Sequence, residues 1–437
     1  MIDFRFSDLA TTLEQDILTH RLLDVPAEWG DEVIFPAYQQ QLTLPNVIHS
    51  LTDMLGAPFA DNAPLLDRVW GDEKPDNIQR VVLLLLDGTG YKHLQMLMQD
   101  DSELQEIVSD LTAGRGIVPL TTVAPSTTAV ALTSLWTGGT PGQTAIPGTT
   151  VYLRELSMLV NMLLFKPETG RHPVGVINDW GISADDLVQR KGLAAHLAEH
   201  DIPSHLLLHK MLSGTGLSKI LHRGVTDIHT HIGYSDMYGN FRQLLHDTAG
   251  QRAYINFYIP SVDSLGHQYG SHTPQTATEV KYQLSTVRDV LNDETVQDGQ
   301  TLFILMADHG HHDALEHLDI LSHEGMQHVR DDVLIGLSGD SRLAHLYIRD
   351  GRRDTMKAAL SEHFADQLTY IDTDAAIAAG FYGEVNPIMR RRLGDLILIP
   401  RLNHVITDPT IGIPPLIGWH GGLDAWEMLI PFIWRVL

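Results

Sequence analysis

The clearest feature of the chain is an unbroken aliphatic run over residues 80–87 (RVVLLLLD) that ends on a charged residue. Runs of this kind are typical of central parallel strands, which helices cover on both faces. Residues 253–260 (AYINFYIP) and 301–308 (TLFILMAD) repeat the form. Shorter apolar runs at 174–178, 205–209, 344–348 and 395–400 add further candidate strands. Between them, helical patterns cover 128–136, 183–200, 278–292 and 353–363. Buried strands alternating with helices predict an α/β protein with a helix-layered sheet.

Two stretches stand outside this alternation. Residues 1–77 carry helix and loop signals with Pro26, Pro36, Pro45 and Pro58 but no strong strand. They are expected to form an extension packed on a main domain spanning 78–437. Residues from about 150 to 250 separate the first strand–helix unit from the later ones, and a cap insertion is expected there. No repeat, low-complexity tract or long linker divides the chain.

Composition narrows the function. A chain of 437 residues, 43% hydrophobic, has enough apolar material for a large core. The formal charge of -25 argues against polymeric nucleic acid as a partner, since such proteins carry a basic face. An acidic protein still binds a phosphate ester where metal ions invert the local field. The absence of cysteine excludes disulfides, zinc ribbons and thiol nucleophiles, and leaves the redox compartment open. The N-terminal residues lack a continuous apolar h-region, and the longest apolar stretches fall far short of the ~20 residues of a membrane helix. A soluble, cytoplasmic protein is expected; its oligomeric state is not legible.

The strand ends carry the chemistry. In open parallel sheets, ligands bind beyond the carboxyl ends of the strands. Asp87 stands at one such end, and Asp308 and His309 at another. Asp263 and His267 follow the third in DSLGH, a spacing that lets two donors converge on one ion. His420 lies among glycines in GWHGG. Each has an ordinary alternative: Asp87 as a turn or helix cap, Asp308–His309 as loop residues, His420 as a surface histidine. Their convergence is what points to two three-ligand metal sites. The segment PSTTAVALTS places hydroxyls at the start of a small-residue helix, where unpaired N–H groups and the helix dipole favour an anion. Simple capping by Ser126 or Thr127 is the competing explanation.

Taken in order, VVLLLLDGTGY, TTVAPSTTAVALTSLWTGGTPGQTAIPG, NFYIPSVDSLGHQYG, LFILMADHG and GWHGG resemble the type I phosphodiesterase/nucleotide pyrophosphatase branch of the alkaline phosphatase superfamily. The resemblance runs from about residue 80 to 425. It implies a three-layer α/β/α sandwich with a mixed, mainly parallel central sheet plus cap insertions. It also implies a phosphoric ester hydrolase with two divalent ions, zinc with manganese as the main competitor. Asp87, Asp308, His309 and Thr128 would serve one ion, and Asp263, His267 and His420 the other. Thr128 would be the nucleophile, placed by counting back from Thr137–Gly138, and a phosphothreonine intermediate would follow.

Substrates would be small phosphodiesters or pyrophosphates. Monoester, phosphonate or phosphomutase chemistry on the same scaffold is the alternative, and a non-catalytic metal-binding protein is the alternative of another class. Sulfatase chemistry is disfavoured, because no C/S-x-P-x-R match occurs. The chain departs from the vertebrate pattern after the nucleophile, with Ala129 and Ala131 where Phe and Asn stand, which leaves nucleotide specificity open. His311 and His312, after ADHG, are expected as exposed loop histidines in preference to site-lining ones.

Overall fold

The run at 80–87 forms the strand Arg80–Leu86, buried at every position. In the computed structural model, which describes residues 7–25, 29, 32–59, 61–182, 187–214, 216–401, 403–408 and 416–437, this strand is the centre of a seven-stranded sheet. Strands Ala253–Ile259 and Thr301–Met306 flank it, both parallel to it. Ser204–His209 and Asp227–His231 extend the parallel array on one side. On the other, Leu429–Val436 enters antiparallel and pairs in turn with Val118–Thr121. The sheet is therefore mixed and mainly parallel, as expected.

Helices Tyr91–Asp100, Ser102–Leu111, Tyr234–Asp247, Ser261–Tyr269 and Pro274–Leu291 pack against one another in one layer. Helices Leu44–Met54 and Thr128–Leu135 pack together in another. Aliphatic side chains of both layers and the sheet form one continuous buried cluster, which also includes Leu13, Ile17 and Val47 from the first 77 residues.

A second seven-stranded sheet was not anticipated. It joins Leu368–Asp372, Leu396–Pro400, Leu343–Ile348, Val333–Asp340, Thr150–Leu153, Met158–Asn161 and Lys166–Pro167, with antiparallel pairing throughout. The runs at 344–348 and 395–400 belong here. Their half-faces pack on helix Arg353–Phe364 in a separate cluster around Leu346, Leu360 and Leu398. The stretch from 150 to 250 is accordingly divided: its first part joins this sheet, and 204–231 joins the central one.

The run at 174–178 is not a strand. A single helical turn covers Val176–Trp180, bounded by Gly175 and Gly181, both at positive φ. Glycines in that conformation cap a turn and interrupt an extended ladder. Among the described residues of the helix read at 183–200, Leu187 and Leu193–Ala198 are helical, the second stretch starting after Gly192, and residues 183–186 lie outside the described residues. The helix read at 278–292 begins earlier, at Pro274, because Thr273 caps it and proline suits the first helical position.

Candidate metal centre and nucleophile

Register brings the acidic donors together. Arg80 pairs with both Ala253 and Thr301, so the three parallel strands end level with one another. Asp87 follows one strand, and Asp308 and His309 follow the second. Helix Ser261–Tyr269 starts directly after the third and carries Asp263 and His267 one turn apart. Gly88, at φ +73, lets these ends close up: a Cβ there would lie 2.8 Å from the Asp263 Cα. His420 arrives from the GWHGG loop, beyond the short strand Gly418–Trp419.

Two donor groups result. Asp87, Asp308 and His309 are buried, and each offers a donor atom within 4.8 Å of the others. His309 Nε2 lies 3.4 Å from Asp87 Oδ1 and 3.5 Å from Asp308 Oδ2. Its Nδ1 lies 3.0 Å from the Gly310 carbonyl, to which it donates, leaving Nε2 as the free lone pair. The second group is Asp263, His267, His311 and His420, with the same mutual spacing. His267 Nδ1 donates to the Gly418 carbonyl at 2.8 Å and turns Nε2 toward Asp263 Oδ1 at 3.4 Å, while His420 Nε2 lies 3.6 Å from the same oxygen. The His309 and His420 rings stand 3.9 Å apart and join the two groups.

Electrostatics within this cluster favour a cation. Asp87 Oδ1 and Asp308 Oδ2 are buried and meet no hydrogen-bond donor. A charged oxygen left in that state is costly, and a metal ion among the donors would satisfy both. Burial, with Asp308 and Asp263 close by, raises the Asp87 carboxyl well above the usual range. Burial works in the same direction on Asp263, but the imidazoles of His267, His311 and His420 outweigh it and hold that carboxyl low. Burial also pushes the His420 and His311 imidazoles below their ordinary range, which keeps them neutral, the form that binds a metal. Mixed carboxylate and imidazole donors suit Zn²⁺ or Mn²⁺.

The hydroxyl segment separates the three candidates for attack. Ser126 donates from Oγ to the Gly422 carbonyl at 2.6 Å and accepts from the Gly421 N–H at 3.2 Å, tying this turn to the His420 loop. Thr127 occupies the N-cap position but makes no capping bond; its hydroxyl lies 3.0 Å from Thr149 Oγ1 and donates to Asp340 at 3.2 Å. Thr128 opens helix Thr128–Leu135, and its Oγ1 lies 3.0 Å from His309 Nε2. Only the third hydroxyl faces a donor group. Residues 81–422 also match the profile described as "Type I phosphodiesterase / nucleotide pyrophosphatase".

The chain belongs to that family.

Membership makes it a phosphoric ester hydrolase. Solved structures of similar fold include murine ectonucleotide pyrophosphatase/phosphodiesterase 5, inactive and in complex with AMP. That structure has a TM-score of 0.59 at 14% identity, covering 81% of this chain and 87% of the murine one. The human protein of the same name gives 0.58 at 16%, covering 82% and 88%. Phosphonoacetate hydrolase from Sinorhizobium meliloti, in complex with phosphonoformate, gives 0.59 at 16%, covering 82% and 90%. At these identities the likeness establishes the fold. No curated protein sequence matches the chain. Among the described residues, no helix is long and apolar enough to cross a membrane.

All seven residues read from the sequence of this family member converge on the cluster, and an eighth joins them. His311 is not an exposed loop residue: it is 2% exposed, and its Nε2 lies 2.7 Å from Asp263 Oδ1. His309 and His311, two positions apart in the ADHGHH run, both face inward and offer donors to the two groups. A second histidine only two positions behind the site pair Asp308–His309 was the available signal. His312 is half-buried and turns away, with Nδ1 3.6 Å from Asp424 beside the buried Arg342–Glu427 pair. Two further residues carried no readable pattern. Tyr258 donates its hydroxyl to Asp87 Oδ2, and Asp340 accepts from Thr127 and from the Thr149 N–H.

Proposed function

We propose that the chain is a two-metal phosphodiesterase in which Thr128 is the nucleophile. The observation that carries this reading is the placement of Thr128 Oγ1 at a helix N-terminus, 3.0 Å from His309 Nε2, where two donor groups meet. Asp87, Asp308, His309 and Thr128 would hold one divalent ion, and Asp263, His267 and His420 the second; zinc is the favoured metal and manganese its competitor. Bound there, such ions would supply the Lewis acidity that lowers a hydroxyl pKa and offsets charge on a phosphoryl group.

The residues themselves then divide the work. Thr128 Oγ gives up its proton to solvent and bonds to phosphorus while the P–O bond to the leaving alcohol breaks, the electron pair leaving on that oxygen, which takes a proton back from solvent. The amides opening helix Thr128–Leu135 favour the phosphoryl oxygens. Water then attacks the phosphothreonine and cleaves its P–O bond, restoring the hydroxyl and releasing a monoester. His311 keeps Asp263 in register through its Nε2, and Tyr258 does the same for Asp87. The main domain is 78–437, with the described residues of 1–77 packed upon it, and the cap over the site comes from the neighbourhoods of Leu163 and Met211.

A diester is favoured over a monoester on charge. Among the described residues lining the cavity at Thr128 there is no lysine or arginine to balance a second phosphate charge. Bis-p-nitrophenyl phosphate should accordingly be hydrolysed at least about tenfold faster in kcat/KM than p-nitrophenyl phosphate, a difference of about 1.4 kcal/mol. A preference for the monoester would overturn the diester assignment and favour monoesterase or mutase chemistry. For His311→Ala, affinity for the second metal should fall about 10–100-fold with the fold intact. Calorimetric titration of the metal-stripped variant checks this; unchanged affinity would remove His311 from the centre.

A further inference from the structure

One wall of the site is unusual for an acidic protein that handles phosphate. A cavity of about 450 Å³ opens from Thr128, Asp87 and Asp263 and is walled largely by aliphatic side chains, among them Leu132, Leu163, Leu206, Leu208 and Leu212. Its volume lies within the range of small-molecule sites. Leu164, Val174 and Met211 also line it and are 40%, 55% and 78% exposed, so large apolar groups face solvent where an organic group would enter. Apolar surface gathered beside a reactive centre marks a binding site rather than a structural core.

Three of the polar side chains on the wall are already engaged. Ser264 donates to the Pro260 carbonyl at 2.9 Å, the Asn256 amide to the Tyr254 hydroxyl at 3.4 Å, and Tyr258 to Asp87. Burial lowers His222 to about 4, so it presents a neutral ring at neutral pH. A nucleoside brings ribose hydroxyls and base edges that would lose water here and find few partners, and each such loss is penalised. A carboxylate would meet no cation among the lining residues. A hydrocarbon group loses nothing.

We infer that this cavity takes an uncharged alkyl or aryl group carried by the substrate phosphate, making the chain a hydrolase of apolar phosphoesters rather than of nucleotides. The inference deepens the phosphodiesterase reading and rests on it for the chemistry, but the pocket is testable without turnover. Binding of n-alkylphosphonic acids from methyl to hexyl is measured by calorimetry on the metal-loaded protein, alongside phosphonoacetic acid and AMP. Affinity should rise about two- to fourfold per added methylene, with hexylphosphonic acid ahead of both polar ligands. The double variant Leu164→Lys with Met211→Lys, changed at partly exposed positions, should flatten that slope and improve phosphonoacetic acid binding.

A flat slope in the unaltered protein, or tighter binding of AMP or phosphonoacetic acid than of hexylphosphonic acid, would overturn the inference. Hydrolysis of bis-p-nitrophenyl phosphate is followed in the same samples. A steep slope without hydrolysis would support the pocket while removing the phosphodiesterase reading; hydrolysis with a flat slope would do the reverse.

Discussion

Thr128→Ala should retain its metals and lose turnover by at least about 10⁴-fold, about 5 kcal/mol of transition-state stabilisation. The side chain is small and 8% exposed, and its hydroxyl makes one contact, to His309. Removing it opens little space, and Ala129 and Ala131 show that the helix start accepts alanine at neighbouring buried positions. Thermal stability should therefore change little while the nucleophile is lost. Thr128→Ser restores a hydroxyl and should recover most of the lost rate. Thr127→Ala provides the contrast: Thr127 binds Asp340 and Thr149, so its loss should act by loosening the turn and cost far less. Steady-state kinetics with metal analysis checks all three, and an acid-quenched reaction should yield a phosphorylated peptide containing Thr128. A Thr128→Ala protein within tenfold of the parent rate would end the covalent mechanism.

The sequence exposed the parts of this arrangement that depend on long apolar runs. Residues 80–87, 253–260 and 301–308 have the form typical of buried central strands, and a donor at each carboxyl end followed from the geometry of parallel sheets. Glycine at 88 and 310 fits closure around those ends. The second sheet was hidden because only its two buried strands carry apolar runs, while the partly exposed, antiparallel Val333–Asp340 and Thr150–Leu153 that join it together carry no long uninterrupted one. The misread strand at 174–178 shows the opposite error, an apolar run too short to tell a strand from a single helical turn without its flanking glycines. His311 was missed because the direction a loop side chain takes is set by tertiary packing, here against Asp263, and leaves no period to read. Asp340 was missed because a lone carboxylate contacting Thr127 from the other sheet leaves no spacing to read.

Metal removal should abolish turnover and lower the melting temperature, and the size of that drop should grow with pH. The buried carboxylates account for the sign. Burial and the neighbouring carboxylates raise the folded-state pKa of Asp87 above its unfolded value. The metal-free folded protein therefore holds a proton that the unfolded chain releases. Its contribution to stability is fully present below the ordinary carboxylate range and is lost as pH rises toward the raised value. Asp340, raised to about 7 by burial, adds to the same slope over about pH 4 to 7. The metal-loaded protein behaves oppositely, because bound cations require Asp87 and Asp308 ionised and the imidazoles neutral, conditions that improve with rising pH. Ligand linkage at a thousandfold excess over Kd contributes about 4 kcal/mol per ion. For a chain of this length that corresponds to a shift of roughly 5–10 °C for two ions. Calorimetric scans of metal-loaded and chelator-treated protein at pH 5.5 and pH 8 should show the larger gap at pH 8, with activity returning on addition of zinc or manganese. Chelation that leaves both turnover and melting temperature unchanged would mean that Asp87, Asp308 and His309 hold their charges without a cation, and the proposed centre would fail.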